Sequence, residues 1–111
     1  MEHPRLTDLE QLLLLSVLHA GEDAQAGSVK AVLEQRGSRP SSLGSIYTTM
    51  TRLEERGLVE SRMGEPTPER GGKARRFYRV TAEGLTALRR SRRVMERMWA
   101  DLPALDLGAE A

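Results

Sequence analysis

A short basic segment carries the clearest chemistry in this sequence. It contains five basic residues and no acid, and these are Arg70, Lys73, Arg75, Arg76 and Arg79. Basic side chains gathered in this way can neutralise phosphates along a nucleic-acid backbone or enter a narrow minor groove. The first four lie on or beside a stretch rich in glycine and proline. We therefore predict a loop that contacts nucleic acid, and the alternative is a solvated surface loop.

Small polar side chains form a second group upstream of this loop. Its members are Ser41, Ser42, Ser45, Thr48, Thr49 and Arg52. Small side chains let a helix backbone approach DNA closely, and serines at a helix N-terminus can donate to phosphates that the helix dipole also favours. Thr48, Thr49 and Arg52 are candidates for base edges, where a good bidentate contact discriminates by about 1–3 kcal/mol. We expect Tyr47 to be a core aromatic whose hydroxyl touches a phosphate, with a purely structural role as the alternative.

Several other kinds of chemistry lack the residues they require. The chain has no cysteine, which excludes disulfides, thiolate zinc sites and a cysteine nucleophile, and which fits a reducing cytosol. His3 and His19 are isolated, so no metal site is expected. Gly71-Gly72-Lys73 lacks the strand and the helix that flank a P-loop. Since no nucleophile can be paired with a base, we expect neither enzyme activity nor a cofactor.

The bulk composition predicts one soluble globular domain. The chain has 111 residues, of which 39% are hydrophobic and 30% charged. Its net charge is only +1, so the prediction of nucleic-acid contact depends on where the charges lie. The longest apolar run, residues 12–18, is far too short to span a bilayer. We expect a cytoplasmic protein of bacterial type with no membrane contact.

Helix signals divide the first half of the chain into three helices. Thr7 and Glu10 form a capping box for a helix over residues 8–20, which Gly21 ends. Ser28 is the predicted N-cap of a second helix over residues 29–36, ended by Gly37. A third helix is predicted over residues 43–56, with Ser42 as its N-cap. Its inward face is expected to comprise Leu43, Ile46, Tyr47, Met50 and Leu53.

The second half of the chain predicts a hairpin and a long helix. Alternation favours strands over residues 58–63 and 75–81, joined by the glycine- and proline-rich loop. Thr81 is the predicted cap of a last helix over residues 82–101. The predicted fold class is mainly α with a small β-hairpin (α+β), a winged helix-turn-helix with a C-terminal dimerisation helix. The predicted divisions are a DNA-binding domain over 1–81, the dimerisation helix over 82–103 and a flexible tail over 104–111.

Two apolar surfaces predict a homodimer. The first helix is apolar on more than one side, which calls for a second burial surface beyond the core. The last helix carries a heptad seam interrupted only by Arg92. The predicted interface residues are Leu9, Leu13, Leu85, Leu88, Met95, Trp99 and Leu102. Packing within one chain is the alternative. Trp99 with Met95 could instead form the wall of an effector pocket between subunits.

In combination, four stretches resemble the PadR-like family of transcriptional regulators. They are residues 6–18 (LTDLEQLLLLSVL), 43–59 (LGSIYTTMTRLEERGLV), 64–78 (GEPTPERGGKARRFY) and 79–84 (RVTAEG). The resemblance implies a dimeric winged helix regulator, usually a repressor, whose C-terminal helix packs on the first helix of the other subunit. It also implies a response to small aromatic or drug-like ligands at the dimer interface. Ala26-Gly27 departs from the family, which often has an aromatic before this glycine.

The leading hypothesis is a homodimeric repressor bound to an inverted repeat of double-stranded DNA. The third helix of each subunit would enter one of two successive major grooves about 34–36 Å apart, and a small effector would release the dimer from DNA. A winged helix used only for protein contacts is the competing hypothesis. That function would require exposed apolar anchors on the third helix, which we do not expect there.

Overall fold

The fold comprises four helices and one β-hairpin. The computed structural model describes residues 5–65 and 75–102. The helices are α1 (Asp8–Ala20), α2 (Ala26–Gly37), α3 (Leu43–Glu55) and α4 (Ala82–Trp99), and the antiparallel strands are β1 (Val59–Met63) and β2 (Arg76–Val80). The predicted mainly α fold with a small hairpin is confirmed. No helix within the described ranges is long and apolar enough to cross a membrane.

Helix α1 has the bounds that its capping box predicts. The Thr7 backbone N–H donates to Glu10 Oε1 at 2.8 Å, and the Glu10 N–H donates to Thr7 Oγ1 at 3.1 Å. Two of the four free N–H groups at this helix end are satisfied in this way. At the other end Gly21 adopts φ 67°, a left-handed value that favours glycine. A single 3₁₀ turn, Gly21–Asp23, follows.

Helix α2 differs from its prediction at both ends. It begins at Ala26, three residues before the predicted start, and Ser28 lies inside its first turn. The Ser28 hydroxyl accepts from the Gln25 N–H at 2.9 Å and donates to the Asp23 carbonyl at 2.7 Å, so it caps from within the helix. The predicted stop at Gly37 was also wrong. Gly37 stays helical, and Ser38 takes the left-handed conformation with φ 49°.

The segment from α3 to the hairpin follows the prediction closely. Ser42 Oγ accepts from the Ser45 N–H at 3.1 Å, which fixes the start of α3. The helix ends at Glu55, one residue early, and the strands are each one or two residues shorter than predicted. The Tyr78 N–H donates to the Ala24 carbonyl at 2.8 Å, so β2 also bonds to the segment before α2.

One hydrophobic core joins the first three helices to the hairpin. Its fully buried side chains include Leu13, Leu14, Val29, Leu33, Ile46, Met50, Leu53 and Val59. An ion pair of 2.8 Å between Arg56 and Glu10 ties the end of α3 to the start of α1, and Arg56 also donates to the Arg5 carbonyl. These contacts hold α3 in one orientation on the core while its other side remains exposed.

Helix α4 is anchored at its first turn and then leaves the core. Thr81 Oγ1 accepts from the Gly84 N–H at 3.1 Å and donates to the Gly57 carbonyl at 2.6 Å. Gly84 is buried so closely that an added Cβ would overlap the Leu58 carbonyl oxygen. Every residue from position 92 to position 102 is exposed. The second half of α4 therefore projects from the rest of the fold.

Candidate nucleic-acid interface

The exposed side of α3 contains most of the predicted recognition residues. Ser42, Ser45, Thr48 and Arg52 are exposed, and Ser41 is half-buried. Lys30 Nζ donates to the Ser41 carbonyl at 2.8 Å and so fixes the turn that precedes the helix. The first-turn N–H groups of α3 lie at this same end, where the helix dipole favours an anion. The arrangement can bind a phosphate at its start and present short side chains along its length.

Three of the predicted orientations on α3 were wrong. Thr49 is buried, and its hydroxyl donates to the Ser45 carbonyl at 2.9 Å, so it lies on the core side of the helix. Tyr47 and Leu43 were predicted to face inward but are 48% and 44% exposed. The core side is Ile46, Thr49, Met50 and Leu53. Sequence spacing alone does not decide whether Thr49 or Tyr47 faces the core.

The hydroxyl groups of the exposed threonines of α3 already donate hydrogen bonds to carbonyls of the same helix. Thr48 Oγ1 donates to the Gly44 carbonyl and Thr51 Oγ1 to the Tyr47 carbonyl, each at 2.9 Å. An oxygen whose hydrogen is committed in this way can only accept. In the major groove its partners would be the amino groups of adenine and cytosine. Thr51 was not among the predicted site residues, although its sequence spacing from Thr48 places it on the same side.

The hairpin lies directly after α3, and its loop end carries two of the predicted wing residues. Arg75 and Arg76 are both exposed. The Gly64 N–H donates to the Arg75 carbonyl at 2.7 Å, which closes the described part of the hairpin. Arg70 and Lys73, the other two predicted wing residues, lie outside the described residues. Sequence reasoning missed Arg62, whose guanidinium lies 4.6 Å from the centre of the Phe77 ring.

The inner side of the hairpin is tied to the core through Tyr78. This residue is buried, and burial raises the pKa of its hydroxyl above the ordinary value of 10.0, since removing water disfavours the phenolate. The guanidinium of Arg76 acts in the opposite direction, and Tyr47 and Glu54 add to the rise. Tyr78 is therefore a neutral anchor for the hairpin at physiological pH.

A second exposed surface lies between α1 and α4. Leu15 and Leu18 of α1 are 42% and 46% exposed, and Met95 and Trp99 of α4 are 50% and 55% exposed. These four side chains line a groove of about 700 Å³, so both predicted effector-pocket residues, Met95 and Trp99, face it. Leu102 is also exposed. We call this groove the α1–α4 groove.

The predicted interface residues nearer the core have a different environment. Leu13 is fully buried within the protomer, so the prediction that it faces a partner was wrong. Leu9, Leu85 and Leu88 are half-buried against the same core, and Leu85 and Leu88 also line the inner part of the α1–α4 groove. The apolar excess of α1 is divided between a core side and an outer side, and Leu15 and Leu18 belong to the outer one. Arg92 pairs with Glu96 of its own helix at 3.0 Å.

Three helices followed by a two-stranded hairpin, with a polar side exposed on the third helix, define a winged helix-turn-helix protein. The family model of the transcriptional regulator PadR-like family matches residues 14–90. The chain therefore belongs to the PadR-like family and is a transcriptional regulator. This agrees with the expectation that it is not an enzyme.

Individual relatives support the same assignment. The chain is 35% identical over 86 residues to the transcriptional regulator Rv3488 of Mycobacterium tuberculosis, which covers 76% of each protein. A PadR family regulator from Eggerthella lenta is 28% identical, with a TM-score of 0.64 over 86% of this chain and 80% of that one. Bacillus subtilis PadR in complex with operator DNA shares the fold, with a TM-score of 0.60 and 15% identity over 74% of this chain and 46% of that one.

Proposed function

We propose that this regulator is a DNA-binding repressor that docks on an inverted-repeat operator as a homodimer. The single observation that carries the proposal is the exposed side of α3, with its capped N-terminus and its short polar side chains beside a basic hairpin. A helix of this kind fits the major groove, while the hairpin reaches the adjacent backbone or minor groove. The structure of a family member bound to operator DNA supports the proposal by analogy.

The α1–α4 groove and the apolar side chains near it support the proposed homodimer. Four large apolar side chains are exposed on the second half of α4, namely Val94, Met95, Met98 and Trp99, and Leu102 is exposed just beyond the helix. Large exposed apolar side chains grouped on one element commonly mark a site of association. A second copy would cover it, with the helix of each protomer lying against α1 of the other. The two copies of α3 would then be fixed at one separation, which an inverted repeat requires.

The same groove provides a place for an effector. Trp99 and Met95 supply an aromatic surface and an adaptable thioether, a combination suited to a planar apolar ligand. A ligand bound between the protomers would change the separation of the two α3 helices and release the operator, provided that it binds the released state more tightly. We therefore propose a small aromatic molecule as the class of effector.

The DNA-binding proposal can be tested by fluorescence anisotropy with DNA from upstream of the protein's own gene, across a salt series. We expect saturable binding that weakens as salt rises, since phosphate contacts release counterions. Replacing Arg75 with Ala should reduce the slope of log affinity against log salt by about one. Arg93→Ala removes an exposed arginine on α4 and is the matched control, for which the slope should not change. Absence of binding at low salt would refute the proposal.

A second candidate function is a winged helix that contacts only other proteins. One observation favours it, because Leu43 and Tyr47 give α3 two exposed apolar side chains where none were expected. Both also have a place on DNA, since apolar side chains contact thymine methyl groups and a tyrosine hydroxyl can reach a phosphate. The same salt series separates the two candidates, because a protein-only module would bind no DNA at any salt concentration.

A further inference from the structure

A chain of two hydrogen bonds joins α3 to both strands of the hairpin. The Arg76 Nη1 group donates to Ser61 Oγ at 3.0 Å, and the Ser61 hydroxyl donates to Glu54 Oε2 at 2.7 Å. Glu54 lies in the last turn of α3, Ser61 in the middle of β1 and Arg76 at the start of β2. The two hydrogen bonds therefore lead from α3 to Arg76, the first residue of β2.

The direction of these bonds is fixed by chemistry. A serine hydroxyl has one hydrogen, which here goes to the carboxylate, so its lone pairs are left to accept from the guanidinium. Both outer partners are charged, and hydrogen bonds to charged groups are the stronger ones. Each bond also polarises the next. Arg76 uses one of its five donors in this chain, and its side chain remains exposed, so it retains donors for another acceptor.

We propose that Glu54 and Ser61 are positioning residues for DNA binding, which hold the Arg76 guanidinium ready for a phosphate. The inference rests on the proposed function of the hairpin. A free arginine loses side-chain entropy when it is immobilised at an interface, and an arginine that is already held loses less. The two residues would therefore strengthen DNA binding without contacting DNA.

The sign of one mutational effect separates this role from simple electrostatics. Glu54 is an acid at the end of the predicted recognition helix, so its charge repels a phosphate backbone. If charge were its only influence, removing the carboxylate would tighten DNA binding. If Glu54 positions Arg76, removing its side chain weakens DNA binding despite the loss of a negative charge. The two accounts predict opposite changes for the same substitution.

The experiment compares variants of the full chain in the same anisotropy assay, each checked by thermal melting. Glu54→Ala and Ser61→Ala should bind DNA roughly threefold to tenfold more weakly than the natural sequence. Glu54→Gln keeps an oxygen that accepts from Ser61, so it should bind as tightly as the natural sequence or more tightly. Glu55→Ala, which removes the exposed neighbouring acid on α3, is the matched control and should not weaken binding.

Two results would overturn the inference. The first is equal or tighter DNA binding by either Ser61→Ala or a folded Glu54→Ala variant. The second is a further loss when Glu54→Ala is added to Arg76→Ala, because positioning requires that the arginine be present. Failure of the natural sequence to bind DNA would instead refute the proposed function, which keeps the two failures distinguishable. Ser61→Ala changes no charge and loses only a hydroxyl, so it tests the role of the two hydrogen bonds even if Glu54→Ala folds poorly.

Discussion

Adjacent residues on α3 show how closely the site borders the core. Thr48 is exposed and Thr49 is buried, yet each donates its hydroxyl to the carbonyl four residues earlier. The residue type and the local bond are the same, and only the surroundings differ. The roles assigned to α3 side chains therefore depend on the way the helix is rotated on the core.

This difference predicts separate effects for two threonine substitutions. Thr48→Ala should weaken DNA binding and leave the free energy of unfolding unchanged, because its methyl group is exposed. Thr49→Ala should lower the free energy of unfolding by about 1 kcal/mol, since it removes a buried methyl group. Urea denaturation and anisotropy measure the two effects. Weaker DNA binding by Thr49→Ala with unchanged stability would contradict the assignment.

Among the described glycines, we expect replacement of Gly84 to lower the free energy of unfolding most. A Cβ at this position would collide with the Leu58 carbonyl and the Val80 side chain, and a backbone carbonyl cannot easily move aside. Gly84→Ala should therefore lower the free energy of unfolding by about 1–3 kcal/mol, or more, in urea denaturation. Gly27→Ala is the control, because no atom lies within 4 Å of its added Cβ. That variant should be neutral or more stable by about 0.4–1 kcal/mol, and equal effects at both positions would contradict the packing argument.

Among the elements, those with a strong local signal were predicted best. The capping box of Thr7 and Glu10 fixes the start of α1, and Ser42 fixes the start of α3, because both caps act within one helical turn. The start of α2 was missed because Ser28 caps from inside the helix, a pattern that resembles an ordinary N-cap in sequence. Local signals of this kind carry no information about which side of a helix meets the core.

The orientation of helix faces depends on tertiary contacts that sequence does not show. Leu13 and Leu15 are both leucines of α1, and one is fully buried in the protomer while the other is 42% exposed. The structure divides these leucines between a core side and an exposed side, and assignment of each leucine to a side requires the positions of α2 and α4. The same limit applies to Tyr47 and Thr49.

We expect the second half of α4 to form a contact between subunits, and a single charge introduced there by substitution should disrupt this contact. Met95→Asp places a carboxylate in the α1–α4 groove, where a second copy would have to desolvate it. We expect the natural sequence to sediment as a dimer at micromolar concentration and Met95→Asp to sediment as a monomer. Thr86→Asp adds the same charge at an exposed position of α4 outside the groove and should remain dimeric. A natural chain that sediments as a monomer would refute the dimer.

For the whole molecule, a rigid dimer predicts a strict spacing of the two half-sites. Two α3 helices fixed about 34–36 Å apart reach successive major grooves on one side of the duplex. Inserting about five base pairs between the half-sites turns one of them to the opposite side, so affinity should fall to that of a single half-site. Anisotropy measures this effect by comparing three DNAs, namely the duplex with the natural spacing, the duplex with the inserted base pairs and an isolated half-site. Equal affinity for both spacings would indicate protomers that bind independently.

The hydrogen bond from the Tyr78 N–H to the Ala24 carbonyl has a consequence for the order of folding. It joins β2 to a segment that lies far earlier in the chain, so closing it is entropically costly until the intervening helices have formed. Contacts between distant parts of a sequence generally form slowly. We therefore expect α1, α2 and α3 to assemble first and the hairpin to dock last, so that the Tyr78 amide acquires protection from hydrogen exchange only as the chain completes its fold.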